Sequence, residues 1–259
     1  MNVYFDSHCH LFMKDFNDDR DEVVARARGA GVAHMAFIGY GLDSSRRAVE
    51  LAEKLDGCCA TVGIHPHDPD NLRPAAWDEL AALAASSSRV AAIGEVGLDY
   101  HRDVAPRDGQ ETGFRAQLAL ARRLGLPVVI HDREAHADVM RVLGEAAEGV
   151  AVLLHSFSGD EAMAREAWGR GYYTGVSSRV TYPKADAFRA LLRAAPRDRI
   201  LLETDAPYQA PAGRRGRRCE PADIVHPAAP LADLWGIPLG EIARTTTANA
   251  RRFFRLPEP

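Results

Sequence analysis

Long apolar runs are missing from this chain. No segment approaches the roughly 18 residues that a membrane-spanning helix needs, and the N-terminus has no basic segment followed by an apolar stretch. A soluble protein that stays in the cytoplasm is expected. An excess of charge of one sign is also lacking: the net charge is -4 over 259 residues, with the signs intermixed. That excludes a general nucleic-acid-coating surface and leaves room for one local basic site. Lysine occurs only at 14, 54 and 184, so the basic residues are nearly all arginine. Only "GRRGRRC", Gly213 to Cys219, is densely basic, and such a run reads first as a solvated loop. Cysteine is sparse. With four in all, Cys58 and Cys59 adjacent and Cys9 alone, no disulfide framework is visible, which suits a reducing compartment. There is no internal repeat, low-complexity tract or linker, so a single domain over 1–259 is expected.

What is present is a series of short β-rich runs. They begin at Val3, Ala33, Cys58, Arg89, Leu126, Val150, Gly171 and Arg199, separated by helix-like segments such as "DRDEVVARARGAG", "SSRRAVELAEKLDG" and "GFRAQLALARRLG". Strand alternating with helix implies βαβ units and a parallel sheet, and eight such units close an α/β (β/α)8 TIM barrel. A doubly wound open sheet is disfavoured, because no Gly-rich fingerprint follows the first strand. The stretch from Gln209 to Pro227, rich in Pro, Gly and Arg, reads as a long loop after the eighth strand.

The titratable residues fall at the strand ends. His8 and His10 close the first strand in "VYFDSHCHLF", His65 the third, Glu95 sits late in the fourth, and His131, His155 and Asp205 end the fifth, sixth and eighth. All would meet at the C-terminal mouth, where barrel enzymes carry their chemistry. Strand alternation puts Asp6, His8 and His10 on one side and turns Ser7 and Cys9 to the other, so Cys9 packs and does not ligate. Burying so many polar groups without partners would cost several kcal/mol in total, and a divalent cation satisfies them best. Imidazole and carboxylate donors without thiolate suit Zn²⁺, Mn²⁺ or Mg²⁺. Six candidate ligands, His8, His10, Glu95, His131, His155 and Asp205, exceed the needs of one ion with an open position. Two ions bridged by Glu95 account for the number.

At these residues the sequence resembles the TatD family of metal-dependent hydrolases, in the stretches "DSHCHL", "VGIHPHD", "IGEVGLDYHRD", "LPVVIHDREA", "LLHSFSG", "LLETDAPY" and "TTANARRFF". The resemblance spans Asp6 to Phe254. It implies that His8, His10, Glu95 and Asp205 hold one metal and that Glu95, His131 and His155 hold the second. It also implies that His65 and Arg133 lie beside the substrate phosphate, that Glu203 belongs to the same site, and that the activity is that of a DNase, in some members exonucleolytic. Phe12 stands where the family often has a carboxylate, and Cys219 stands in an "RRCEP" run where a polar substrate-binding residue is usual.

The mechanism expected is hydrolysis of a phosphodiester by a metal-activated water, with Asp205 holding that water and accepting its proton. Arg133 is placed at the start of a helix, "REAHADVM". The expected partner is nucleic acid, DNA first, with no membrane and no obligate protein partner. Two other readings compete: a hydrolase of small esters, lactones or amides on the same barrel, and a non-catalytic protein with a structural metal. The former commonly bridges its metals with a carboxylated Lys, and the fourth strand here has none.

Overall fold

In the computed structural model, which describes residues 2–256 apart from Asp103, all eight strands appear in the expected places. They are β1 (Tyr4–Cys9), β2 (Val32–Ile38), β3 (Cys58–Val62), β4 (Val90–Asp99), β5 (Val128–Arg133), β6 (Val152–Leu154), β7 (Tyr173–Val176) and β8 (Ile200–Leu202). Each pairs in parallel with the next, in the order of the sequence. The strands are Val-, Ile-, Leu- and Ala-rich because both faces are buried, one by the barrel interior and one by the helices. The ring closes between β8 and β1, where the amide of Asp205 donates to the carbonyl of His8 and that of His10 donates to Ala206, both at 2.8 Å. Three residues of the mouth, His8, His10 and Asp205, are thus held by the seam itself.

The helices that follow are α1 (Arg20–Gly29), α2 (Leu42–Lys54), α3 (Pro74–Ser86), α4 (Arg107–Leu124), α5 (His136–Ala146), α6 (Glu161–Gly169), α7 (Asp186–Arg193), α8 (Val225–Trp235) and α9 (Leu239–Phe253). Their ends follow local chemistry: Asp160 caps α6 by accepting from the Met163 amide at 2.9 Å, and Gly125 ends α4 in the left-handed conformation at φ 66°. The far end of α9 closes the floor of the barrel. Phe253 and Phe254 pack there with Phe5 and Tyr173, Phe5 to Phe254 at 5.5 Å between ring centroids.

Four expectations are corrected. Asp6 does not share the face of His8 and His10. Tyr4 and Cys9 both pack in the shell between strands and helices, while Phe5 lies in the inner cluster, because the β1–β2 register shifts between Asp6 and Cys9. The Asp6 carboxylate instead ties β1 to β8, accepting from the Thr204 amide at 2.9 Å and the Thr204 hydroxyl at 2.6 Å. Arg133 is the last residue of β5, and α5 starts only at His136. The loop from Gln209 contains two short 3-10 turns, and its last residues, from Val225, already belong to α8. Finally, Arg214 and Arg218 are not simply solvated: Arg214 pairs with Asp223, and Arg218 donates to Asp19 at 2.7 and 2.8 Å and to Glu220 at 3.0 Å.

Candidate metal centre

The mouth gathers all six expected ligands. His8 and His10 leave β1, Glu95 stands in β4, His131 in β5, His155 just after β6, and Asp205 three residues past β8. His8, His10, Glu95, His155 and Asp205 are buried, and His131 is nearly so. The Nε2 atoms of His8 and His10 face each other at 3.3 Å. His8 Nε2 stands 3.6 Å from Glu95 Oε2 and 3.6 Å from Asp205 Oδ1, and His10 Nε2 stands 3.5 Å from Asp205 Oδ1. Donors about 2.0–2.1 Å from one tetrahedral ion are about 3.4 Å from one another. His8 Nε2 thus stands near that spacing from three other donor atoms, and His10 Nε2 stands near it from Asp205. Glu95 turns its other oxygen, Oε1, to the second group, 3.5 Å from His155 Nε2 and at hydrogen-bond length, 2.8 Å, from His131 Nδ1.

The outer ring nitrogens decide which nitrogen each histidine offers. His10 Nδ1 donates to the Ile38 carbonyl at 2.8 Å, leaving a lone pair on Nε2. His155 Nδ1 meets Glu203 Oε1 at 3.1 Å, with the same result. His131 is reversed: Nε2 meets Asp99 Oδ2 at 2.9 Å, so Nδ1 faces Glu95. Such outer carboxylates orient ligating imidazoles and raise their basicity. His8 Nδ1 is buried and has no hydrogen-bond partner among the described residues.

Electrostatics point the same way. Burial pushes the imidazole of His131 down, but hydrogen bonds to Asp99 and Glu95 outweigh it and carry the pKa up to about 9. His155, likewise opposed by burial, is carried up to about 10 by the Glu203 and Glu95 carboxylates. Glu95 is held well below the usual carboxylate range, since His131, His155 and His8 outweigh the effect of burial. Protons thus supply the positive charge that these carboxylates demand, and a donor set of this kind fits divalent ions.

The residues expected near substrate also line the mouth. His65 Nδ1 accepts from the His67 amide at 3.2 Å, so its Nε2 carries the proton and faces the cup, 4.0 Å from Glu95 Oε1. Burial, then the neighbouring His131, pushes its pKa down to about 3. Arg133 is exposed, lines the same cup of about 640 Å³, and makes no ion pair among the described residues. Glu203 lies buried beneath His155 and also accepts from the Ser156 amide at 2.7 Å. Cys219 lies elsewhere: it is fully buried, with Sγ 3.8 Å from the Thr204 carbonyl, and cannot touch a substrate in the cup. Phe12 is buried too, its ring 6.1 Å from that of His10.

Three residues were missed. Asp99 holds His131 and shares its Oδ2 with His67 Nε2 at 3.1 Å. Its signal was available, because it follows Glu95 by an even number of residues in one strand and so returns to the same face. His67 follows His65 at the same spacing. Gln209 donates to Asp205 Oδ2 at 2.6 Å and is itself fixed by the Ser177 hydroxyl at 2.6 Å; no strand period reaches it. Asp205, Ser156, Gln209 and Glu134 all adopt the left-handed conformation at φ 43–57°, and strained non-glycine backbone concentrates at functional sites.

With this geometry in view, comparison with known proteins is informative. The family model for "TatD related DNase" matches residues 5–255. A protein of Bacillus subtilis described as the uncharacterized metal-dependent hydrolase YabD is 38% identical over 98% of this chain and all of its own length. One of Cronobacter sakazakii named 3′-5′ ssDNA/RNA exonuclease TatD is 41% identical over 96% of this chain and 97% of its own. Among solved structures, the TatD homologue YJJV of Escherichia coli superposes with a TM-score of 0.92 at 30% identity, covering 98% of both chains. A phosphotriesterase homology protein of Escherichia coli, at 14% identity and a TM-score of 0.70, shares the fold alone. The match over nearly the whole length, together with a mouth built from the stretches that carry the likeness, means that this chain belongs to the TatD family of metal-dependent hydrolases.

Proposed function

We propose that this protein is a divalent-metal-dependent exonuclease that removes nucleotides from the 3′ end of single-stranded nucleic acid. One observation carries the reading: the buried Nε2 of His8 stands 3.3–3.6 Å from donor atoms of His10, Glu95 and Asp205, and the other oxygen of Glu95 reaches a second imidazole group. In this reading His8, His10, Glu95 and Asp205 hold one ion, and Glu95, His131 and His155 hold another. When bound, the pair supplies Lewis-acid charge and acidifies water to near neutral pH.

The chain's own groups do the rest. Asp205, its Oδ2 fixed by Gln209, accepts the proton of the attacking water. His65 presents an Nε2–H, and Arg133 a guanidinium without a carboxylate partner among the described residues, to the non-bridging oxygens on which charge develops. Asp99 and Glu203 keep His131 and His155 in the tautomers that face inward. The 3′-to-5′ direction and the single-stranded substrate are supported by the name of the Cronobacter relative. Four thiols, all buried and unpaired, suit a cytoplasmic setting.

The test is a substrate panel on metal-reconstituted protein: single-stranded and duplex oligonucleotides labelled at either end, aryl phosphoesters, lactones and carboxyl esters. Release of mononucleotides from the 3′ end of single strands, stopped by chelation and restored by metal, is expected. Efficient hydrolysis of lactones or carboxyl esters with all oligonucleotides untouched would replace the nuclease with a small-molecule hydrolase.

A further inference from the structure

The cup at the mouth opens in two directions, and the two exits differ in charge. One passes Tyr40 and Asp68 into a cleft rich in carboxylates, where Arg46 pairs with Asp43 at 3.0 Å and Glu79 at 3.1 Å and Arg73 pairs with Asp70 at 3.0 Å, which leaves Arg47 as its one arginine without an ion pair among the described residues. The other passes Arg133 and Gln209 into a cavity of about 570 Å³ along β5 and β6. That cavity in turn shares Ser158 and Arg179 with a third, of about 680 Å³, between α6 and α7. The cup and these two spaces thus lie side by side, each sharing wall residues with the next.

The cations along this second path are available. Arg179 uses one guanidinium nitrogen on the Ser156 carbonyl at 3.2 Å. Among the described residues, neither it nor Arg133 nor Lys184 pairs with a carboxylate. The acids beside them are already engaged: Asp160 caps α6, Glu161 pairs with Arg165 at 2.6 Å, and Asp132 pairs with His136 at 2.8 Å. The end cavity is walled by aromatic rings. Trp168 is anchored through Nε1 to Thr174 at 3.2 Å, Tyr182 through its hydroxyl to the Ala210 carbonyl at 3.0 Å, and Phe188 is partly buried beside them.

We propose that the cavity between α6 and α7 binds the nucleotides of a single strand that lie 5′ of the scissile phosphate, the strand crossing Arg133 and Arg179 on its way from the cup. The assignment rests on the 3′-to-5′ exonuclease reading: the terminal nucleotide enters the cup, so the retained strand must leave by an exit. Unpaired cations meet its phosphates, and the rings give its bases a platform. This pairing of charge and stacking is what sequence-tolerant single-strand binding uses, and a duplex, its bases already stacked, could not exploit it. A volume of about 680 Å³ lies within the range of sites that hold small organic ligands, enough for at least one nucleotide.

The experiment compares kcat/KM on a single-stranded series from dinucleotides to dodecamers, for wild type, Lys184→Glu, and Lys184→Glu combined with Phe188→Ala. In wild type kcat/KM rises with length until the cavity is filled. The double variant lowers the dodecamer-to-dinucleotide ratio by about tenfold, the scale of one stacked base. Lys184 is exposed, so the single variant folds and lowers the ratio by a smaller amount, more at low salt than at high. Wild-type cleavage independent of length, or equal losses on long and short substrates, would overturn the inference while leaving the exonuclease reading in place. Failure to cleave any oligonucleotide would overturn both.

Discussion

The two ends of the barrel are built on opposite terms. At the floor, Phe5, Tyr173, Phe253 and Phe254 interlock with small aliphatic side chains such as Ala36, Ala92 and Val129; burial there stabilises the fold. At the mouth, six histidines, Glu95, Asp99, Glu203 and Asp205 form a chain of hydrogen-bond or ion-pair contacts. Four non-glycine residues there are held in the left-handed conformation, a cost of roughly 1–3 kcal/mol each. Stability and chemistry are thus separated along the barrel axis. Substitutions at the two ends should fail in different ways.

The largest effect belongs to the mouth. Glu95→Gln should lower kcat/KM by on the order of 10³-fold or more while leaving a cooperative melt, because a neutral amide bridges two cations poorly. Steady-state kinetics and thermal melts on one preparation check this. Next comes the floor: Phe253→Ala should lower unfolding stability by about 3–5 kcal/mol in denaturant titrations, with kcat/KM retained under conditions where the protein is folded. Loss of activity in folded Phe253→Ala would break the separation. Asp99→Asn keeps an acceptor for the His101 and Arg102 amides, now bonded at 3.0 and 3.1 Å, but loses the charge that holds His131. A 10- to 100-fold weaker metal affinity is expected, about the effect of losing an outer-shell carboxylate, with little change in melting. The smallest effect should come from Cys9→Ala, a packed side chain turned away from the histidines. Its cost is roughly 1–2 kcal/mol of stability, and atomic-emission analysis should find metal content intact.

Much of this was legible because a parallel barrel writes both parts of itself into the sequence. Strands covered on both faces become apolar runs, and polar groups sit where those runs end, so the place of His131 and His155 at the mouth could be read from position alone, while their sorting between two ions came from the family resemblance. The facing of Asp6 was not legible. It depends on a register shift that only the pairing with β2 reveals, and alternation counted through the shift gave the right answer for His8, His10 and Cys9 but the wrong one for Asp6. The roles of Arg214 and Arg218 were hidden for another reason: Asp19, a partner of Arg218, lies 199 residues away in the chain, and no local pattern announces such a pair. Gln209 belongs to a loop, where no period tells which way a side chain points. Asp99 stood in plain view, and parity with Glu95 would have found it.

The central claim is that the mouth is a two-ion site bridged by Glu95. The most direct measurement is the number of tightly held divalent ions per folded chain, taken after metal loading and exhaustive dialysis, for wild type and Glu95→Gln side by side. Two per chain in wild type and one or none in the variant are expected. A single ion in wild type, or two in a folded Glu95→Gln protein, would contradict the account.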